Sequence, residues 1–396
     1  MRDRLRDPLV RRVLIALGLA ALIALGAGIG ALIGGDEERT AGTPTPSGGI
    51  ATDATATTRD GRPDPVPALV RGMSTQRKVA QLFLWGVRGT APLPPRLGPV
   101  ATRDLGGVVL GRGNYADPVQ LRALTGSVTA RTRVPPLVMA VQQGGEFNAL
   151  AGLAPATAPA DLDDAAAGAR EARAAGGALR PLGVDGLLAP VLDVGPPDGA
   201  AVGAVAFSDD AGEVSRYAAR VTVAYREAKL FAAAGHFPGL GSASQPVGEG
   251  PANVGLSGRE LERSDVVPFK SAIQAGVPGI VVSNGLYAYD DFVTPATLSR
   301  RVTTGLLRGR LGFKGVAVTS DLTDPAVTAL EPPAGAAVQA VRAGADLLYL
   351  SAPPAEQAAA YRSVLAAVRK KRVRAARLDQ AVTRVLSAKR DYGVLR

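Results

Sequence analysis

The sequence predicts an α/β protein, a (β/α)8 TIM-type barrel preceded by a single transmembrane helix and a flexible linker. Two observations predict the barrel: eight short apolar runs alternate with alanine-rich helical stretches, and glycine, proline, asparagine or aspartate occurs within three residues after each run. Apolar runs of this kind are typical of parallel strands that are buried on both faces. A third observation, an uncharged run of 23 residues near the N-terminus, predicts the transmembrane helix.

The composition of the 396-residue chain excludes several classes of protein. Hydrophobic residues make up 46% of the chain and charged residues 20%, which suits a buried core and rules out a mainly disordered protein. The chain has no cysteine and one histidine, His236, so it can hold no thiolate or multi-histidine metal site. Aromatic residues are only 4%, which argues against modules that stack nucleic-acid bases. We therefore expect no metal, no cofactor and no nucleic-acid partner.

The uncharged run occupies residues 13–35 and as a helix would span roughly 34 Å, enough for a bilayer core of about 30 Å. Five arginines precede the run and an acidic cluster follows it. The positive-inside rule then makes residues 1–12 a cytoplasmic basic segment and places the globular domain outside the cell membrane. The alternative is a cleaved signal peptide, whose apolar region is normally shorter and ends in a small-residue cleavage site.

Residues 36–66 are rich in small and polar residues, lack apolar periodicity and are predicted to be the flexible linker. Residues 67–396 are predicted to form the barrel, although a doubly wound open sheet is an alternative. No GxGxxG follows the first strand, which weakens a dinucleotide-binding interpretation. Strands are predicted at 80–85, 107–110, 137–141, 186–191, 230–234, 279–283, 315–319 and 346–350, and helices at 161–182, 210–229 and 257–275.

The last segment, residues 369–396, is predicted to be an amphipathic closing helix. Its many basic residues are expected to form a solvated face, and attraction to anionic lipid or to an envelope polymer is the functional alternative. Its apolar positions recur at helical spacing: Leu378, Val382, Val385 and Leu386.

Seven sequence blocks between Met73 and Val394 follow one another in the order typical of one enzyme family. They include LGGVVLGRGNYADPVQLRALT from Leu105, GHFPGLG from Gly235 and PATLSRRVTTGLLRGRLGFKGVAVTSDL from Pro295. In these blocks the chain resembles the catalytic barrel of glycoside hydrolase family 3, most closely its β-N-acetylglucosaminidase branch. The resemblance implies a carbohydrate substrate and a glycosidase of the retaining β-N-acetylhexosaminidase or β-glucosidase type.

The resemblance makes Asp321 the catalytic nucleophile, because Asp321 belongs to an SD motif that ends a predicted strand. In the family this carboxylate attacks the anomeric carbon and forms a covalent glycosyl-enzyme. A second group protonates the leaving oxygen and then activates water, so the anomeric configuration is retained. The alternative for Ser320 and Asp321 is a helix N-cap.

The resemblance also implies substrate-binding roles for four residues, namely His236, Asp193, Gln142 and Asn284. Several charged residues of the family are missing around them. The KHFPG motif lacks its lysine, the DQEGG motif reads QQGG from Gln142, and the expected arginine falls at Val205. The histidine expected after a later strand is replaced within Asn284–Gly285. The alternative for Asp193 is a structural role in which it orients its neighbours.

The acid/base loop of this branch carries a DSH element, whereas the corresponding segment here reads SASQPVGEGPANVGL from Ser242. Glu249 is the only titratable group of that segment and is therefore the tentative acid/base. A carboxylic acid can perform the proton transfer if its pKa is raised.

Two functions follow from these observations. The first is a membrane-anchored glycosidase acting on β-linked sugars, with a site weakened by the missing residues. The second is a catalytically inactive barrel that binds envelope glycan or a partner protein. A third, a polyanion-binding protein, rests only on the net charge of +10. Convergence of Asp321, His236 and Glu249 on one sugar-sized pocket would favour the first.

Overall fold

The computed structural model describes residues 63–92, 104–130 and 132–395. Each of the eight predicted strands is present, although several differ in length from the prediction. Two further short strands, β6 and β8, lie outside the barrel. The strands are Phe83–Gly86 (β1), Gly107–Leu110 (β2), Leu137–Ala140 (β3), Gly186–Leu187 (β4), Phe231–Phe237 (β5), Asn253–Val254 (β6), Gly279–Val282 (β7), Leu286–Tyr287 (β8), Val316–Thr319 (β9) and Leu348–Leu350 (β10).

Eight of these strands form one parallel sheet in the order β10-β1-β2-β3-β4-β5-β7-β9. A parallel bridge between Val318 and Leu347 joins β9 to the start of β10 and returns the sheet to its first strand. This strand order confirms the α/β barrel and excludes the doubly wound alternative, in which the strand order reverses.

The helices pack outside the strands and begin mostly at aspartate or serine caps. Asp117, Asp164, Asp210 and Ser257 each accept a backbone hydrogen bond at a helix start. The α-helices are Pro65–Gly72 (α1), Thr75–Ala80 (α2), Pro118–Thr129 (α3), Ala165–Leu179 (α4), Ala211–Glu227 (α5), Gly258–Arg263 (α6), Val266–Gln274 (α7), Pro325–Thr328 (α8), Pro333–Ala343 (α9), Pro354–Arg369 (α10) and Ala375–Asp391 (α11). A π-helix lies between α7 and α8, at Arg301–Arg310. Short 3-10 helices cover Gly145–Phe147, Pro159–Asp161, Arg180–Leu182, Gly203–Val205 and Ala296–Leu298.

Two boundaries differ from the prediction because short polar residues cap a turn inside an apolar run. Ser74 caps α2, so residues 75–80 are helical and the first strand begins three residues later than predicted, at Phe83. The helix predicted over 257–275 is two helices, which meet at Ser264 and Asp265. Neither difference moves a strand out of the barrel.

The closing helix α11 seals the amino-terminal end of the barrel. All four of its predicted apolar positions are buried. Lys389 is fully buried beside them, and its Nζ donates to Gln81 Oε1 at 2.8 Å and to the carbonyl of Leu105 at 3.0 Å. The residues that enter the cluster inside the strands are Val385, Ala388, Tyr392 and Val394.

The basic side chains of α11 are not all solvated, contrary to the simpler sequence expectation. Arg377 and Arg384 contact the fully buried carboxylate of Asp346 at N–O distances of 2.8 and 3.2 Å. Arg308 of the π-helix binds the other oxygen of the same carboxylate. A buried carboxylate needs such partners, so part of the charge that suggested a polyanion surface stabilises the fold.

The predicted cytoplasmic segment and transmembrane anchor lie outside the described residues, as does the linker as far as residue 62. Within the part of the chain that the structure describes, no helix is both long enough and apolar enough to cross a bilayer. The first described helix, α1, begins at Pro65, where Asp64 caps it and forms a 2.6 Å ion pair with Arg390.

Candidate active site

A cavity of about 250 Å³ opens at the carboxyl ends of the barrel strands. Apolar lining residues come from the residue after β3 and from within β5 and β7, namely Val141, Ala233 and Val281. The polar and ionisable lining residues are Gln143, His236, Gln245, Thr319, Ser320, Asp321, Asp324 and Tyr349. This is the end of the barrel at which the sequence predicted the functional residues.

Asp321 follows β9 directly and presents one carboxylate oxygen in a fixed position. Its Oδ1 accepts from the backbone N–H of Thr323 at 3.0 Å, from the hydroxyl of Thr323 at 2.7 Å and from the N–H of Ser351 at 3.2 Å. Within the described residues, no hydrogen bond reaches Oδ2. The carboxylate is therefore held through one oxygen while the other is free to approach a bound electrophile.

The N-cap alternative for Asp321 does not describe its hydrogen bonds. The short helix α8 begins at Pro325 and its N-cap residue is Asp324, three residues beyond Asp321. Asp321 instead accepts from the N–H two residues ahead, which forms an Asx-turn. That turn fixes the carboxylate at the end of the strand without making it part of a helix.

His236 lines the same cavity near the end of β5, and the Gly235–His236 peptide bond is cis. Its Nδ1 lies 2.8 Å from Oδ2 of the fully buried Asp193. The other oxygen of Asp193 accepts from the N–H groups of His236 and Leu240 at 3.2 and 2.8 Å. Asp193 therefore sits behind the cavity wall and fixes the imidazole, which leaves Nε2 for a ligand.

The charges around His236 favour its protonated form. Burial lowers the pKa of His236, but the negative charge and hydrogen bond of Asp193, with a smaller contribution from Asp324, outweigh burial and raise the pKa. A protonated imidazole donates through Nε2, as a group that binds a sugar hydroxyl needs to do.

Asn284 is fully buried behind the cavity rather than in its lining. Its Nδ2 donates to the backbone carbonyl of Asp321 at 2.7 Å and to Oδ2 of Asp324 at 2.9 Å. One amide thus connects the turn that carries Asp321 with the carboxylate of Asp324, and the structure gives Asn284 a positioning role.

Asp324 is an acidic residue of the cavity that the sequence analysis does not predict. It is partly buried, and burial together with the charge of Asp321 raises its pKa to about 6, against the opposing effects of the Asn284 hydrogen bond and His236. The available signal was a second aspartate three residues after Asp321 and directly before a proline. In a turn that follows a strand, two residues with this spacing can both face the same side of the turn, here the cavity.

Gln142, predicted to bind substrate, is fully buried and points into the following loop. Its Oε1 accepts from the N–H of Leu150 at 3.0 Å, and its Nε2 donates to the carbonyls of Leu150, Leu153 and Ala154. The neighbouring Gln143 lines the cavity instead. Successive side chains of an extended segment point to opposite sides, so a shift of one residue exchanges the two roles.

Glu249, predicted tentatively as the acid/base, is exposed and does not line the cavity. It lies in a turn in which its N–H donates to the carbonyl of Pro246 at 3.0 Å. The segment around it does contribute to the wall, but through Gln245, Pro246, Val247 and Gly248. The structure therefore brings Asp321 and His236 together and leaves Glu249 outside.

The cavity lining contains no lysine and no arginine among the described residues. The positions at which the resemblance would place these cations are occupied by Gly235 and by the segment around Val205, where Ala201 and Val202 form part of the wall. Among the described lining residues, the polar contacts available to a ligand therefore come from neutral side chains, from His236 and from the two aspartates.

A family model described as the glycosyl hydrolase family 3 N-terminal domain matches residues 74–388. The chain belongs to glycoside hydrolase family 3. Within that family it is similar to a beta-hexosaminidase of Xanthomonas euvesicatoria pv. vesicatoria, 30% identical over 282 residues that cover 69% of this chain and 84% of the relative.

Two solved structures, one of them described as a glycoside hydrolase family 3 enzyme, are similar to this barrel. A β-N-acetylglucosaminidase from Paenibacillus is 30% identical, with a TM-score of 0.77 over 82% of this chain, which spans 63% of that structure. A β-N-acetylhexosaminidase from Beutenbergia cavernae is also 30% identical, with a TM-score of 0.73 over 80% of this chain and 98% of that structure. This family 3 barrel is thus comparable in length to the second structure.

Proposed function

We propose that this family 3 protein is a retaining glycosidase of the β-N-acetylhexosaminidase type and that Asp321 is its nucleophile. The observation that carries the proposal is the free Oδ2 of Asp321 in a cavity that also contains the oriented imidazole of His236. A carboxylate can attack an anomeric carbon without a base to activate it. The similarity to enzymes named beta-hexosaminidase supports the type of sugar.

In the first half of the reaction, Oδ2 of Asp321 forms a bond to the anomeric carbon while the bond to the leaving oxygen breaks. A proton donor delivers its proton to that oxygen. In the second half, water attacks the same carbon, the bond to Asp321 breaks, and the former donor accepts a proton from the water. The hydrogen bonds to Oδ1 keep the carboxylate oriented through both steps.

The volume of the cavity, about 250 Å³, is below the range of about 300–1,000 Å³ that is common for pockets of drug-sized ligands. We infer that one terminal sugar occupies it and that the remainder of the substrate lies outside. Without lysine or arginine among the described lining residues, the sugar loses charge-assisted hydrogen bonds worth roughly 1.5–3 kcal/mol each. A weakened affinity, and therefore a high KM, is part of the proposal.

The test is covalent trapping with an activated fluorosugar, followed by mass mapping of the labelled peptide. A label on Asp321, together with turnover of aryl β-N-acetylglucosaminides, would support the proposal. An aryl β-glucoside serves as the comparison substrate, because the same chemistry could act on either sugar. A label on another carboxylate would assign the nucleophile elsewhere.

A catalytically inactive barrel that binds glycan is the second candidate, and the absence of cations from the described cavity lining favours it. Such a barrel would bind an N-acetylhexosamine oligosaccharide, with a chemical-shift change at His236, but would release no product and accept no label. Binding without turnover on a broad panel of aryl glycosides would make this candidate the better one.

We also propose that residues 13–35 anchor the domain to the cell membrane with the barrel outside. The support is the uncharged run preceded by arginines. Fractionation of cells that express the full chain tests this proposal. Recovery in the soluble fraction, with a mature N-terminus beyond Gly35, would contradict it and favour the signal-peptide alternative.

A further inference from the structure

The proposed reaction needs a proton donor, and the segment that carries a histidine in the β-N-acetylglucosaminidase branch offers none here. Glu249, its only titratable residue, is exposed and outside the cavity lining. The ionisable groups that do line the cavity are Asp321, Asp324, His236 and Tyr349. A proton donor for this reaction must therefore come from the ionisable residues that line the cavity with the nucleophile.

Asp324 lies in the wall of the cavity on the turn that carries Asp321. Its Oδ2 accepts from Nδ2 of Asn284 at 2.9 Å, and no hydrogen bond from the described residues reaches Oδ1. The same amide nitrogen binds the backbone carbonyl of Asp321 at 2.7 Å. Asn284 thus holds the second carboxyl group in a fixed relation to the first, with one oxygen of each left for the cavity.

We propose that Asp324 is the acid/base catalyst of this enzyme, an inference that rests on the proposed glycosidase function. The carboxyl group of Asp324 gives its proton to the leaving oxygen as the glycosidic bond breaks and Oδ2 of Asp321 binds the anomeric carbon. The resulting carboxylate then takes a proton from the water that attacks this carbon. Hydrolysis of the ester releases Asp321, and both carboxyl groups return to their starting states.

The electrostatic surroundings of Asp324 suit this role. Burial and the charge of Asp321 raise its pKa to about 6, so the group can hold a proton near neutral pH and still release it. Conversion of Asp321 to a neutral ester removes the nearby negative charge, which favours the ionised form of Asp324 for the second step. His236, across the cavity, lowers the pKa of Asp324, and the hydroxyl of Tyr349 on β10 is the other titratable group in the lining.

The loop over the cavity is connected to the same short helix. The N–H of Ala326 in α8 donates to the carbonyl of Val247 at 3.2 Å, and Val247 is part of the cavity wall. Residues 245–248 therefore cover the side of the cavity next to Asp324, although none of them carries an acid. The loop contributes to the wall, and the proposed acid comes from the turn that carries Asp321.

The test compares the wild-type enzyme with Asp324→Asn on two substrates, a dinitrophenyl and a methylumbelliferyl β-N-acetylglucosaminide. For the poorer leaving group, kcat/KM is expected to fall by about 10²–10⁴-fold, the usual contribution of general acid–base catalysis. The dinitrophenyl leaving group departs without a proton, so for that substrate the rate of the first step should fall less than about tenfold. Added azide should restore turnover and give the β-glycosyl azide.

Asp209→Asn is the matched control, because Asp209 is exposed and outside the cavity lining. Asp324→Ala, checked for folding by circular dichroism, repeats the azide experiment without an amide at this position. If Asp324→Asn affects both substrates equally and azide has no effect, the proposal is overturned. It is also overturned if Glu249→Gln or His236→Asn shows the leaving-group dependence instead.

Failure of this proposal differs from failure of the proposed function. If Asp321 is still trapped by the fluorosugar and the wild-type enzyme turns over, a negative result for Asp324→Asn rejects only Asp324. If the wild-type protein neither turns over nor accepts the label, both proposals are rejected.

Discussion

The Nδ1 atom of His236 lies 2.8 Å from Oδ2 of Asp193, and the backbone N–H of His236 donates to Oδ1 of the same carboxylate at 3.2 Å. A single buried carboxylate therefore fixes both the ring and the main chain of the residue that faces the cavity. The third hydrogen bond to Asp193, from the N–H of Leu240, ties the turn after β5 to it. Asp193 acts as a positioning residue, which agrees with the structural alternative drawn from the sequence.

We expect Asp193→Asn to lower the pKa of His236. The amide removes the negative charge that stabilises the imidazolium, while its oxygen can still accept the two backbone N–H groups. Because His236 is the only histidine, its ring resonances can be titrated by NMR without assignment ambiguity. The wild-type pKa should lie above the ordinary value of about 6.5, and an equal pKa in the variant would contradict the role of Asp193.

The raised pKa of His236 also has a consequence for stability against pH. Its protonation contributes to the free energy of unfolding below the unfolded-state pKa of about 6.5, and this contribution is lost as pH rises through the folded-state value. In thermal melts between pH 5 and pH 9, the melting temperature of Asp193→Asn should therefore fall less toward alkaline pH than that of the wild type. Parallel melting curves for the two proteins would contradict this.

We expect Asp321→Asn to reduce turnover of an aryl β-N-acetylglucosaminide by at least about a thousandfold, or about 4 kcal/mol in activation free energy. The amide oxygen can keep the hydrogen bonds of Oδ1, so the fold should be retained. Steady-state kinetics with circular dichroism as the folding control measures both effects. Unchanged turnover would show that the nucleophile lies elsewhere.

Asp324→Asn should stabilise the folded protein at alkaline pH. The folded-state pKa of about 6 exceeds the ordinary value of about 3.9, so the protonated form is favoured by folding and this advantage is lost as pH rises through 6. The neutral amide does not undergo this loss. We expect the melting temperature of the variant to exceed that of the wild type by at least about 2 °C at pH 8, and the difference to shrink at pH 5.

The two neighbouring glutamines should respond in opposite ways to removal of the side chain. Gln142→Ala leaves buried loop groups without partners and should lower the free energy of unfolding by about 1–3 kcal/mol, measured by urea denaturation. Gln143→Ala should change stability by less than about 0.5 kcal/mol but raise KM, because Gln143 lines the cavity. The reverse pattern would return the substrate-binding role to Gln142.

The sequence predicts the barrel because each strand is a short apolar run that ends in a turn-forming residue. The same rule places Asp321 and His236 at the functional end, since both follow or end such a run. The orientation of Gln142 does not follow from this rule, because the first residue after a strand can continue the alternation or turn away. Asp324 is not predicted from the sequence for a related reason. The turn that places it near Asp321 depends on contacts with Asn284 and Ser351, which are distant in sequence.

Glu249 illustrates the converse limit. The composition of its segment makes it a candidate, since it is the only titratable group there, but proton transfer also requires that the group face the cavity. In SASQPVGEG, Glu249 lies between two glycines. The turn at Pro246 leaves Glu249 in solvent, while the residues before it form part of the cavity wall. Composition identified the loop but did not identify which of its side chains turn inward.

The contact between Lys389 and Gln81 joins positions that are 308 residues apart, and it lies in the seal that α11 makes at the amino-terminal end of the barrel. During synthesis α11 must emerge from the ribosome before this seal can form. Until then, the inward faces of the strands are open at that end, and loop closure over the whole domain opposes the final contact. The emerging chain therefore has a period of exposure that ends only when α11 has emerged, and protection from aggregation during that period is a requirement of this architecture.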